Sequence, residues 1–84
     1  MILHIGNDFF VRSEDILMIL EYSEAKKNED TKEFLKKCKR ATITKEPPKS
    51  IVVTQENGIQ TMYLSPISSR TLLKRSDIKI TDLV

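Results

Sequence analysis

The chain has 84 residues, 39% of them hydrophobic and 31% charged, with a formal net charge of +2. That length accommodates one domain with a thin core, burying about 60–65% of the surface its unfolded form exposes. The balance of apolar and charged groups excludes a disordered chain. The absence of any apolar run near about 18 residues excludes a helical membrane span.

In chain order, Ile2 to Ile5 reads as a short strand, and Gly6-Asn7-Asp8 as a tight turn leading into a return strand, Phe9 to Val11. Glycine takes positive φ freely, and Asn and Asp bond their own backbone in turns. Ser13-Glu14-Asp15 has the composition of a helix start, yet Ile16 to Leu20 is an unbroken run of five apolar residues. A surface helix interrupts such a run, whereas a strand buried on both faces does not. One turn at 13–16 and a strand to about Tyr22 is therefore expected. Ser23 to Glu29 reads as a polar linker. Asp30-Thr31-Lys32-Glu33 has the spacing of a capping box, and a helix from Thr31 to Arg40 would align Phe34, Leu35, Cys38 and Ala41 on one apolar face. Pro47-Pro48 breaks the chain before Ile51 to Thr54, a β-branched strand expected to be buried. Asn57-Gly58 is a strong hairpin signal, and Ile59 to Leu64 returns. After Pro66, either Ser68 or Ser69 caps a last short helix with Leu72 and Leu73 inward. The alternation of Ile78 and Ile80 suggests an edge strand or tail over 77–84. The fold class expected is α+β, a small antiparallel sheet or partial barrel of hairpins carrying two short helices.

The chemistry of catalysis is not visible. His4 is the only histidine, without a partner in sequence that would orient it as a base, and its ordinary role is that of a strand residue. Cys38 is the only cysteine, so an internal disulfide is excluded and a reducing cytosol fits. It reads as a small buried hydrophobe rather than a reactive thiol. No metal-ligand spacing, phosphate loop or nucleophile elbow occurs, so no cofactor is expected. The N-terminus lacks a basic-then-apolar secretory pattern, and a cytoplasmic protein is expected.

Charge is unevenly placed. From Ser13 to Asp30 six acids face two lysines, whereas from Lys32 to Lys49 seven basic residues face two acids. Ser65 to Lys79 holds four basic residues against Asp77. Such segregation supports steering of a polyanion or complementary contacts between subunits. Candidate phosphate contacts are Lys36, Lys37, Arg40, Lys45 and Lys49, then Arg70, Lys74 and Arg75, with Arg12 offering a planar fork at a turn. For each cluster the competing reading is an ordinary solvated face.

In combination, Ile5-Gly6, Val11, the Ser13–Leu20 segment, Ile51-Val52-Val53, Leu64-Ser65 and the terminal Lys74-Arg75 give residues 1–76 a distinct likeness. They resemble the small bacterial family of extracellular-matrix regulators, RemA/RemB, most closely its RemB branch. The resemblance implies a compact domain similar to LytTR-type DNA-binding domains, assembly of copies into a closed ring, and a basic perimeter that binds duplex DNA at biofilm-matrix genes. Asp15 stands where the RemA branch carries an arginine, and Pro47-Pro48 where it carries two, so Arg12, Lys45, Lys49 and Arg70 are the substitutes to consider. The alternative the resemblance leaves open is a ring-forming scaffold that binds a protein, such as a paralogue, without touching DNA.

Overall fold

A computed structural model of the chain describes residues 1–76. Strand β1 (Ile2–Gly6) pairs antiparallel with β2 (Phe9–Arg12) as a separate two-stranded sheet. Side chains alternate across it, so Leu3, Ile5 and Val11 are buried while Ile2 and Phe10 lie 65% and 61% exposed. Gly6 enters the turn at φ +130, and a Cβ there would meet Pro66 Cδ at 2.7 Å. Glycine is required twice over, by the backbone and by the approach of Pro66. Asn7 follows at φ 50 and donates its side-chain amide to the Ile43 carbonyl.

A 3-10 turn, Ser13–Asp15, then leads into β3 (Ile16–Glu21). This matches the expected single turn before a strand. The second sheet has four strands in the order β3-β5-β6-β4, with β4 spanning Lys39–Thr42, β5 Ser50–Glu56 and β6 Ile59–Ser65. β5 and β6 form the expected hairpin around Asn57 (φ 50) and Gly58 (φ 80), the two positive-φ residues a tight primed turn needs. β3 is an edge strand that packs on both faces, Ile16 and Ile19 against one cluster and Met18 and Leu20 against the other. A bulge between Ile16 and Met18 displaces Leu17, which is 47% exposed.

Period-two alternation splits the four-stranded sheet into two faces. Ile19, Val52 and Tyr63 point one way, to Leu3, Ile5, Val11, Ile43 and Leu72. Ile51, Val53 and Leu64 point the other way, to Ala25, Cys38, Phe34 and Leu35. The first hairpin and α3 (Ser69–Arg75) therefore cover one face, and α1 (Tyr22–Ala25) with α2 (Glu29–Lys36) the other.

Several expectations need correction. The sheet is mixed, because β4 runs parallel to β6, and neither sheet closes into a barrel among the described residues. There are three short α-helices rather than two among those residues. The linker expected at 23–29 is partly helical, since Ala25 buries against Ile51 and Val53. The cap of α2 is Asn28, whose Oδ1 accepts the Thr31 N–H at 3.0 Å, rather than Asp30. That helix stops at Lys36 instead of Arg40. Lys39 to Thr42 pair with Thr61 to Leu64, and sheet hydrogen bonding wins over the helical pattern. Cys38 is buried as expected, but just beyond the helix end rather than on its face. The edge strand expected over 77–84 lies outside the described residues. No helix among the described residues is long and apolar enough to cross a membrane.

Candidate nucleic-acid interface

The position of α3 is fixed by three small hydroxyl residues. Ser65 Oγ donates to the Ile5 carbonyl at 2.6 Å and accepts the Ile67 N–H at 3.0 Å. Ser50 Oγ donates to the Ile67 carbonyl at 2.6 Å. Ser50 and Ser65 are fully buried, so these bonds are shielded from competing water. Ser68 then caps the helix, its Oγ accepting the Thr71 N–H at 3.2 Å, which resolves the choice between Ser68 and Ser69. Leu72, with no exposed surface, anchors the inner side. With that side fixed, Arg70, Lys74 and Arg75 face solvent. α3 contains no acid, and its last turn holds Lys74 and Arg75, where cations complement the helix dipole.

The other candidates are also exposed but differently placed. Arg12 is tied to Glu14, Nη2 to Oε2 at 2.7 Å. That hydrogen bond is the main reason the Glu14 carboxyl lies below its ordinary range and the Arg12 guanidinium above its own. Lys36 lies 3.6 Å from Glu33, as Lys32 lies 3.5 Å from Glu29. Lys37 follows α2, and Arg40 projects from β4 on the α2 side of the sheet, in register with Met62. Lys45 sits near the tip of the first hairpin, beside Asn7 and Phe9. Lys49 is held through its backbone, donating to the Ser65 carbonyl at 2.8 Å and accepting from the Tyr22 N–H at 3.0 Å.

Lys36 and Arg40 therefore meet on one side of the sheet, whereas Arg70, Lys74 and Arg75 lie on the other. The two clusters do not merge within one subunit. Among the described residues, Lys37, Lys39, Arg40, Lys45, Lys49, Arg70, Lys74 and Arg75 have no carboxylate within ion-pairing distance. Sequence reasoning identified the Ser68 cap but not Ser50 and Ser65, the buried serines that also position α3. Their signal was the Leu64-Ser65-Pro66 segment, a buried strand ending in a hydroxyl next to a helix-breaking residue.

His4 and Cys38 make local contacts. His4 Nε2 lies 2.5 Å from the Asn7 carbonyl, and its ring packs 5.0 Å from Phe10. The Cys38 thiol contacts the Phe34 carbonyl at 3.6 Å, and burial pushes its pKa up, which disfavours the reactive thiolate. Among the described residues no group of three His, Cys, Asp or Glu side chains is arranged to hold a metal.

Residues 2–75 match the family described as RemA-like, extracellular matrix regulatory protein A-like. The chain is also similar to Extracellular matrix regulatory protein B of Bacillus subtilis (strain 168), at 42% identity over 78 residues, 90% of each chain. The Ile5-Gly6 and Leu64-Ser65 pairs within the matched span are the residues that dock the first hairpin on Pro66 and hold α3. On these grounds the chain belongs to the RemA-like family of extracellular matrix regulatory proteins.

Proposed function

We propose that this protein is a homo-oligomeric DNA-binding regulator of extracellular-matrix genes that contacts mainly the DNA backbone. The observation that carries this reading is α3, a helix rigidly seated by buried hydroxyls, presenting Arg70, Lys74 and Arg75 with no interleaved acid. Cations so placed neutralise phosphates and release counterions. Three contacts alone bind weakly, and repetition of the surface in a closed assembly would raise the effective concentration of each site. The outer side of the first hairpin supports self-association, because Ile2 and Phe10 are more than half exposed there. Family membership supports the regulatory role.

A scaffold that binds a protein rather than DNA is the second reading. It is favoured by the close pairing of Arg12 with Glu14 at 2.7 Å, which occupies the guanidinium. Retention of a labelled duplex at low salt separates the two. Binding that is lost on Lys74→Glu with Arg75→Glu, and kept on Lys36→Glu, supports the DNA reading with α3 as its contact. Absence of duplex binding by the unmodified protein favours the scaffold.

A further inference from the structure

A groove of about 520 Å³ opens on the sheet face opposite α3, between α1, α2 and the β6–β4 side of the sheet. Its floor is apolar: Leu35 and Met62 are partly exposed in it, and Cys38, Ile51 and Leu64 are buried behind them. Its rim carries Lys26, Lys32, Lys36 and Arg40 against a single carboxylate, Glu29. Small-molecule sites have this composition and commonly measure about 300–1,000 Å³.

The rim is not simply the solvated side of one helix. Lys26 follows α1, Lys32 and Lys36 belong to α2, and Arg40 comes from β4, so three separate elements converge on one opening. Local acids cancel only part of this charge, since Glu29 and Glu33 offset two of the four cations. Lys32 and Lys36 pair with Glu29 and Glu33 only at 3.5 and 3.6 Å, through exposed side chains, where such pairs contribute little. Lys26 stacks over the Tyr22 ring at 4.7 Å instead. Arg40 has no carboxylate partner among the described residues, and its planar fork matches the two oxygens of a carboxylate.

We infer that this groove binds a single-chain amphipathic anion, an alkyl carboxylate whose chain lies on the Leu35–Met62–Leu64 floor and whose head group meets Arg40 and Lys36. The apolar floor accounts for the chain, and the excess of cations selects the sign of the head. This site is separate from the α3 surface and does not depend on DNA being the partner.

The test is methyl NMR of the intact protein titrated with dodecanoate below its micelle-forming concentration, without DNA. The expected result is saturable movement of the Met62, Leu35 and Leu64 methyl signals, with those of Leu3 and Leu72 across the sheet unmoved. Dodecyltrimethylammonium, with the same chain and opposite charge, should bind at least about tenfold more weakly. Lys36→Glu with Arg40→Glu, both exposed positions, should weaken dodecanoate by a similar factor while leaving the Leu3 and Leu72 signals in their native positions. Dodecanoate that moves no floor signal overturns the inference. So does equal binding of the cationic analogue, or binding indifferent to the charge reversal. Floor signals that move only with protein concentration would assign the groove to a second copy of the chain and likewise overturn it.

Discussion

Gly6 and Ser65 carry constraints out of proportion to their size. At Gly6 a methyl group would be forced into a left-handed backbone and against Pro66 Cδ at 2.7 Å. Gly6→Ala should therefore destabilise the protein by about 1–3 kcal/mol, read as a lower midpoint in urea. Ser65→Ala removes the partner of the Ile5 carbonyl and the Ile67 N–H together, inside a buried site. A cost of about 1–3 kcal/mol is expected, and an unchanged midpoint would contradict the role given to this hydroxyl. Glu14 provides a pH-dependent case. Its folded pKa is lowered by the Arg12 hydrogen bond, so its contribution to stability is present above the unfolded pKa and lost as pH falls through the folded one. Both groups are exposed, and salt screens the effect. Glu14→Gln should lower the thermal midpoint slightly at neutral pH, and the difference from the unmodified protein should disappear in acid.

At the scale of elements, the parts legible in the sequence were those with local determinants. The Asn57-Gly58 hairpin, the Gly6-Asn7-Asp8 turn, the Ser68 cap and the apolar side of α3 each follow from a few adjacent residues. What was not legible depended on partners distant in sequence. Lys39 to Thr42 continue a helical pattern but are recruited by β6, some twenty residues on, as a parallel strand. Leu17 belongs to an apolar run, yet the bulge in β3 and its edge position turn it outward. The candidate site shows the same division. That Arg70, Lys74 and Arg75 share the outer side of a helix was readable from spacing. That the Lys36–Arg40 cluster lies across the sheet from them was not, because it depends on sheet order and on which face each helix covers. Leu72→Ala tests whether α3 is seated as described, since this fully buried residue joins the helix to the β1–β2 hairpin and the sheet. A loss of about 2–5 kcal/mol is expected, with the Arg70–Arg75 amides losing protection from exchange first.

For the whole molecule, two basic surfaces on opposite sides of a domain 27 to 31 Å across cannot grip one duplex from a single subunit. Association offers a way to line up equivalent helices from successive copies. The exposed Phe10 and Ile2 on the first hairpin are the apolar surface available for it. Phe10→Glu should reduce the mass seen by light scattering at micromolar concentration while leaving the monomer folded. A mass equal to one chain for the unmodified protein would remove the basis for a repeated surface.

The salt dependence of duplex binding measures the number of phosphates engaged. One subunit contributing Arg70, Lys74 and Arg75 would give a slope of log K against log salt near about −2.7, from about −0.9 per contact. An assembly presenting several α3 helices to one duplex should give a distinctly steeper slope, and Lys74→Glu with Arg75→Glu should abolish the binding. A slope no steeper than one helix allows, or binding indifferent to salt, would contradict a multivalent backbone contact through α3.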